Sequence, residues 1–244
     1  MSLYEILGQL YQKKMQPKHI EEFDRFASEY ERYKIIQRRV ARYLVQKSRF
    51  EGKHILDLGA GSGEVYRAIG WDFERFYAVD LAQNMLRFHP RKRVQKIVCD
   101  FDSEACWQKL AALPIDHIFA SSSLQWSRDL KKVMRQIRSI TSRFDAAIFT
   151  SGTFETIHAI LGISSPIQSK DEILPQICQY FMVDYEVKRY KLFFSDRRSM
   201  FSYIKRSGVS SGQKRADIGR LKELIRSYPY PYLEFEVVFV WSKE

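Results

Sequence analysis

Gly59, Gly61 and Gly63 alternate in the run Ile55-Leu56-Asp57-Leu58-Gly59-Ala60-Gly61-Ser62-Gly63-Glu64, and no other stretch limits the fold so strongly. His54 to Leu58 is short and mostly apolar and reads as a buried strand. It feeds a glycine turn and then a helix that begins near Glu64. Glycine permits positive φ and lets a ligand approach the backbone with no Cβ in the way. Strand, glycine turn and helix start together form a nucleotide cradle at the carboxyl edge of a sheet. The G-x-G-x-G spacing departs from the dinucleotide fingerprint G-x-G-x-x-G, and Asp57 would repel a pyrophosphate. An acid there suits a cationic or hydroxyl-bearing ligand. Phe76 to Asp80 reads as the next strand. Asp80 stands at its end, roughly 20 residues on, where a ribose-binding carboxylate belongs. A glycine turn that binds nothing is the bland alternative, and the placement of Asp80 argues against it.

The rest of the chain alternates helix and strand. Ser2 to Lys14 reads as a short amphipathic helix and His19 to Gln46 as a long one, with Phe23, Phe26, Tyr30 and Tyr33 along one face. Further strands are expected at Val94–Cys99, Asp116–Ser121, Ala146–Gly152, Tyr185–Phe194 and Leu233–Trp241, the last two able to pair antiparallel. Helices are expected at Gln83–Phe88, Ser103–Leu113, Asp129–Ile140, Phe154–Leu161, Asp171–Tyr180, Asp196–Ser207 and Ala216–Ser227. Asp102 is expected to cap the Ser103 helix and Ser195 or Asp196 the Asp196 helix. Ser122 to Trp126 reads as an exposed loop at the carboxyl end of the fourth strand, where α/β folds carry function. The 244 residues are enough for one α/β domain. We divide it into a helical cap (1–50), a cofactor-binding core (51–152) and a substrate side (153–244).

Composition narrows the function classes. No run of 18 or more apolar residues is present, so no membrane span is expected. The first residues lack a signal-peptide pattern. Cys99, Cys106 and Cys178 have no metal spacing and fit free thiols in a reducing cytoplasm, and the five histidines offer no zinc pattern. No metal is therefore expected. Lys and Arg number 40 against 29 Asp and Glu, a formal charge of +11 that attracts polyanions.

The run Asp57-Leu58-Gly59-Ala60-Gly61-Ser62-Gly63 resembles motif I of class I S-adenosylmethionine-dependent methyltransferases. That resemblance implies a Rossmann-like α/β fold, with a seven-stranded, mostly parallel sheet, an antiparallel last strand and helices added over its carboxyl edge. It implies S-adenosylmethionine as cofactor, held by Asp57, Gly59, Ala60, Gly61, Asp80, Leu81, Met85, Asp100, Phe101 and Ser121, with Asp100 at the adenine. A narrower likeness follows from Phe23-Asp24-Arg25-Phe26-Ala27-Ser28-Glu29-Tyr30-Glu31 with Gln37, Ser121 to Trp126 ending in Leu-Gln-Trp, Phe193 to Val209, and Tyr228-Pro229. These are similar to the malonyl-[acyl-carrier protein] O-methyltransferases of biotin synthesis. Three serines in the loop and Ser210-Ser211-Gly212 depart from that pattern. The likeness implies Tyr30, Gln125 and Trp126 at the reacting centre and an acidic acyl-carrier protein bearing malonyl, or a small carboxylic acid, as partner.

The chemistry agrees. A malonyl carboxylate has a pKa of about 4 and is already a nucleophile at neutral pH. No histidine stands out as the base it would not need. Lys188 to Lys222 is strongly basic, with Arg198, Lys205 and Arg206 the leading candidates for docking an acidic carrier. Rival readings are methylation of another small acid or quinone-like ring, an RNA methyltransferase, and a cofactor-binding homologue without activity. The RNA reading lacks an N-P-P-[YF] motif, because Ser121-Ser122-Ser123-Leu124 follows the fourth strand, and nucleic acid is not the expected partner.

Overall fold

The computed structural model describes residues 34–206, Leu224 and 226–243. The expected Ser2–Lys14 helix, the segment holding Phe23, Phe26, Tyr30 and Tyr33, and most of the Ala216–Ser227 helix lie outside the described residues. Within them the order is α1 (Ile35–Gln46), β1 (His54–Leu58), α2 (Glu64–Ala68), β2 (Arg75–Asp80), α3 (Gln83–Phe88), β3 (Val94–Val98), α4 (Glu104–Ala111) and β4 (His117–Ser121). A 3₁₀ turn at Leu124–Trp126 precedes α5 (Leu130–Ile140), β5 (Phe144–Phe149), α6 (Glu155–Leu161), α7 (Lys170–Cys178), β6 (Val183–Phe193), α8 (Arg197–Arg206) and β7 (Tyr232–Ser242).

The seven strands form one sheet in the order β3-β2-β1-β4-β5-β7-β6. β1 pairs parallel with β2 and β4, and β7 runs antiparallel to both β5 and β6. Central strands are apolar throughout because helices cover both faces: all six residues of β5 are buried. On one face Ile36, Val40, Ala41 and Leu44 of α1, spaced for a single helical stripe, pack with Leu86 of α3, Ile157 of α6 and Phe201 of α8. On the other, Trp107 of α4, Val133 and Ile137 of α5 and Ile173 of α7 pack together. β1, β2 and β3 progress to one side and β4 and β5 to the other, so the order reverses between β1 and β4. Ligands of such sheets bind at the carboxyl ends of the two strands flanking that reversal.

Three local expectations are corrected. Cys99 and Cys106 are bonded as a disulfide, leaving only Cys178 of the three as a free thiol. The chain turns back from β3 into α4 and brings the two Cα atoms to 5.5 Å, a return that spacing alone does not reveal. The thiol count therefore no longer argues for a reducing compartment. Asp102 does not cap α4, whose N-cap Ser103 makes no side-chain cap bond; its carboxylate instead receives Ser127 Oγ at 2.9 Å and Arg128 Nε at 3.1 Å. Ser122 to Trp126 is not an exposed loop: Ser123 and Leu124 are buried, and Ser122, Gln125 and Trp126 are half-buried. By contrast Asp196 caps α8 as expected, accepting from Ser199 N at 2.8 Å. No helix among the described residues is long and apolar enough to cross a membrane.

Candidate functional site

The glycine turn sits at the reversal and is fixed from three sides. Gly59 N and Ala60 N both donate to Val79 O, at 2.8 and 2.9 Å. Gly59 adopts φ +75°, and a Cβ there would lie 2.3 Å from Ser123 Cβ, so the turn after β1 and the segment after β4 touch where only glycine fits. Ser123 Oγ completes the contact by donating to Leu58 O at 2.6 Å. Met85 is buried beside Gly61, where a Cβ would stand 3.6 Å from its Cε.

Two carboxylates underlie the turn. Asp80 Oδ2 accepts from Gly61 N and Oδ1 from Ala82 N, both at 2.8 Å. Asp80 thus ties the glycine turn to the end of β2 and sets a carboxylate beside Gly61. Asp57 is buried and its Oδ1 has no hydrogen-bond partner. Loss of water around it, and then the charge of Asp80, hold its carboxyl well above the ordinary carboxylate range. A buried acid without a partner is costly, and a cationic ligand would remove that cost. Orphaned acid, glycine cradle and strand-end carboxylate together fit the amino-acid and ribose parts of S-adenosylmethionine.

The adenine end is less open than the sequence suggests. Asp100 Oδ1 accepts from Asp102 N at 2.8 Å, and Oδ2 pairs with Arg128 Nη2 at 2.8 Å. Arg128 thus spans both acids and competes with any ligand donor at Asp100. Phe101 is half-buried with the core on the α4 face, and its carbonyl receives Trp107 Nε1 at 2.7 Å. Leu81 and Ser121 are half-buried at the ends of β2 and β4. Ser122, at φ +61°, follows Ser121 and donates its N–H to Ala147 O at 2.8 Å.

Of the residues expected at the reacting centre, Gln125 and Trp126 stand in the 3₁₀ turn beside the glycine turn, and Tyr30 lies outside the described residues. Gln125 Nε2 donates to Ser122 O at 2.7 Å, and its Oε1 is buried without a partner. Trp126 packs on the core face formed by α1, α6 and α8. Sequence reasoning missed Lys34, which is only 1% exposed. Its Nζ donates to Ser62 Oγ at 2.7 Å and pairs with Glu64, which also meets Arg38 and Arg67, each at 3.1 Å. The only sequence signal was a lysine just ahead of an apolar helical stripe, a position that usually reads as solvent.

Two buried histidines are poor bases. Burial holds His89 down to about 4, and burial likewise lowers His158. His117 is buried against Asp145 at 3.1 Å, with Ser48 Oγ on the same carboxylate at 2.6 Å; this network begins β4, at the opposite end of the strand from Ser121. Among the described residues no group of three or more His, Cys, Asp or Glu could hold a metal ion.

Residues 56–143 match the family described as a methyltransferase domain. The malonyl-[acyl-carrier protein] O-methyltransferase of Halorhodospira halophila is 26% identical over 246 residues, covering 91% of this chain and 79% of that protein. The protein of the same name from Brevibacillus brevis is 26% identical over 259 residues, covering 89% of this chain and 92% of its own length. Among solved structures, the YcgJ protein of Bacillus subtilis aligns with a TM-score of 0.57 at 14% identity, over 84% of this chain and 99% of that one. A SAM-dependent methyltransferase of Thermotoga maritima aligns at 0.52 and 14%, over 93% and 100%. These two show the fold.

Proposed function

Because the chain belongs to the class I S-adenosylmethionine-dependent methyltransferases, we propose that it methylates the free carboxylate of a malonyl thioester on acyl-carrier protein, early in biotin synthesis. The observation that carries this is the reach of the likeness. The general methyltransferase match ends at residue 143, whereas the relatives that share this one name align over 91% and 89% of the chain. Their likeness therefore extends well beyond residue 143, into the part of the chain that the general match leaves out.

S-adenosylmethionine, when bound, supplies a methyl group on a cationic sulfur. Asp57 meets the positive charge at the amino-acid end, Asp80 receives the ribose hydroxyls, and Gly59, Ala60 and Gly61 admit the ligand to the backbone. Met85 and Leu81 pack beneath it, Asp100 and Phe101 take the adenine, and Ser121 closes the β4 side. No residue has to take a proton, because the acceptor carboxylate is ionised at neutral pH, and this accords with histidines held neutral or buried in pairs. The work left to the chain is alignment and exclusion of water, worth up to about 7–11 kcal/mol in favourable intramolecular cases. Trp126 supplies an apolar wall, and the resemblance of its segment assigns Tyr30 to the same role. Gln125 gives its N–H to Ser122 and presents an acceptor oxygen, which repels a carboxylate. It therefore aligns a donor on the substrate arm or the cofactor, while a cation grips the carboxylate.

The test is transfer of labelled methyl to malonyl-loaded carrier protein, to free small acids and to RNA. Transfer to the malonyl carrier is expected. Labelling only of a free acid, a ring or RNA would sink the proposal. Thermal stabilisation by the cofactor with no transfer to any of them would identify a binding protein instead.

A further inference from the structure

Four side chains at the outer corner of the sheet take no part in the site above. β6 is an edge strand, and Phe193, its last residue, pairs across with Tyr232 at the start of β7. Phe193 is 65% exposed and Tyr230 41%, a large apolar area to leave in water. The rings are ordered against one another. Phe193 meets Tyr232 edge-on with centroids 5.2 Å apart, and Tyr230 stacks on Tyr232 at 4.9 Å and 12°. Lys191 Nζ stands 4.4 Å from the Tyr232 ring centre. Core packing accounts for these rings only in part: Tyr230 meets the buried Tyr228 edge-on at 6.2 Å, and Tyr228 in turn meets Phe201, yet the outer faces of Phe193 and Tyr230 stay open to water.

The patch is also polarised. The nearby acids are occupied inward. Glu236 receives Thr150 Oγ1 at 2.6 Å and Arg189 Nε at 2.8 Å. Glu234 receives Thr156 N at 2.6 Å and Tyr228 OH at 3.0 Å. Lys191 is left as the outward charge, and the exposed Arg198 follows in the first turn of α8. Asp196, also exposed, is engaged by Ser199 N and Oγ. The corner adjoins the carboxyl edge, because Thr150 N and Phe154 N, just beyond β5, donate to Glu236 O and Glu234 O at 3.0 Å each.

We infer that Phe193, Tyr230 and Tyr232 with Lys191 form the docking surface for the acidic carrier protein. The inference rests on the function proposed above and adds the surface. Stacked rings lose little freedom on binding and make good anchors. A cation among them selects a partner that sets carboxylates beside apolar side chains. An acidic carrier has that chemistry, and docking here brings its arm to the edge where the glycine turn opens.

Phe193→Ser and Lys191→Glu are measured with malonyl-loaded carrier protein and with a short malonyl thioester. KM for the carrier is expected to rise about tenfold with either variant, and KM for the short thioester to change less than twofold, with unaltered melting temperatures. Equal effects on both substrates, or none on the carrier, overturn the docking surface. So does a loss of self-association by Phe193→Ser with unchanged carrier KM, which would make the patch a contact between copies of this chain. A wild-type protein that methylates the short thioester but not the carrier removes the docking surface and the carrier as substrate, and leaves the malonyl carboxylate as acceptor. One that methylates neither removes the proposed function, and the docking surface with it.

Discussion

Asp57 and Asp80 lie under one turn and behave differently because one is satisfied and the other is not. Asp80 is held by Gly61 N and Ala82 N, so Asp80→Ala should cost S-adenosylmethionine binding about 1.5–3 kcal/mol, the scale of a hydrogen bond to a charged group. Unchanged affinity by calorimetry would remove Asp80 from the ribose. Asp57 carries a raised pKa through burial and then Asp80. Its folded value lies above the unfolded one of about 4. Its stabilising contribution is therefore full below pH of about 4 and is lost as pH rises through the folded value. Asp57→Asn removes the buried charge, so the unliganded variant should gain in Tm over the wild type as pH rises, while binding the cofactor roughly tenfold or more weakly. Melting curves between pH 5 and 9 together with calorimetry check both halves. A constant difference in Tm across that range would mean that Asp57 does not titrate there.

At the scale of elements, the turn after β1 and the segment after β4 act as one unit. Gly59→Ala must bear a left-handed φ of +75° and a Cβ 2.3 Å from Ser123 Cβ. Left-handed backbone costs about 1–2 kcal/mol and overpacking about 1–3 kcal/mol, so a loss of roughly 2–5 kcal/mol in denaturant unfolding is expected. Adding Ser123→Gly should return the overpacking part and leave the backbone part. If the second change restores nothing, the two segments are not in contact. Strand and helix positions were legible because they depend on local patterns: alternation in Leu233 to Trp241 and glycine spacing after β1. The ends of β5 were less so, since the strand runs from Phe144 to Phe149 where the sequence suggests Ala146 to Gly152. Pairings between distant segments were not legible at all. Lys34 buried on Ser62, Arg128 spanning Asp100 and Asp102, and Cys99 bonded to Cys106 each depend on how elements return in space. The acids under the turn could be read because strand ends fix them. The adenine acid could be read only halfway, because its competitor Arg128 comes from beyond β4.

The whole molecule carries a formal charge of +11, and much of the positive charge is exposed on separate faces. Lys131, Arg135 and Arg138 lie on α5, Arg39 and Arg42 on α1, and Lys191 and Arg198 near the aromatic corner. The side chains of Lys205 and Arg206, named as docking candidates from the sequence, lie outside the described residues. A field summed over such a surface steers an acidic partner over distances of a Debye length, about 8–10 Å at physiological ionic strength. Steering changes the rate of encounter more than the strength of the final contact. It acts on a whole carrier protein and hardly on a small thioester, which bears one or two charges. Raising salt from about 0.05 to 0.5 M should therefore lower kcat/KM for malonyl carrier protein by roughly tenfold, within the range that steering supplies, with kcat nearly constant. The short malonyl thioester should lose less than about twofold. Reversing charge at Arg198 should flatten the carrier's salt dependence without touching the thioester. A carrier reaction indifferent to salt would show that the excess charge plays no part in partner capture. Parallel losses for both substrates would place the salt effect at the cofactor or the acceptor carboxylate instead.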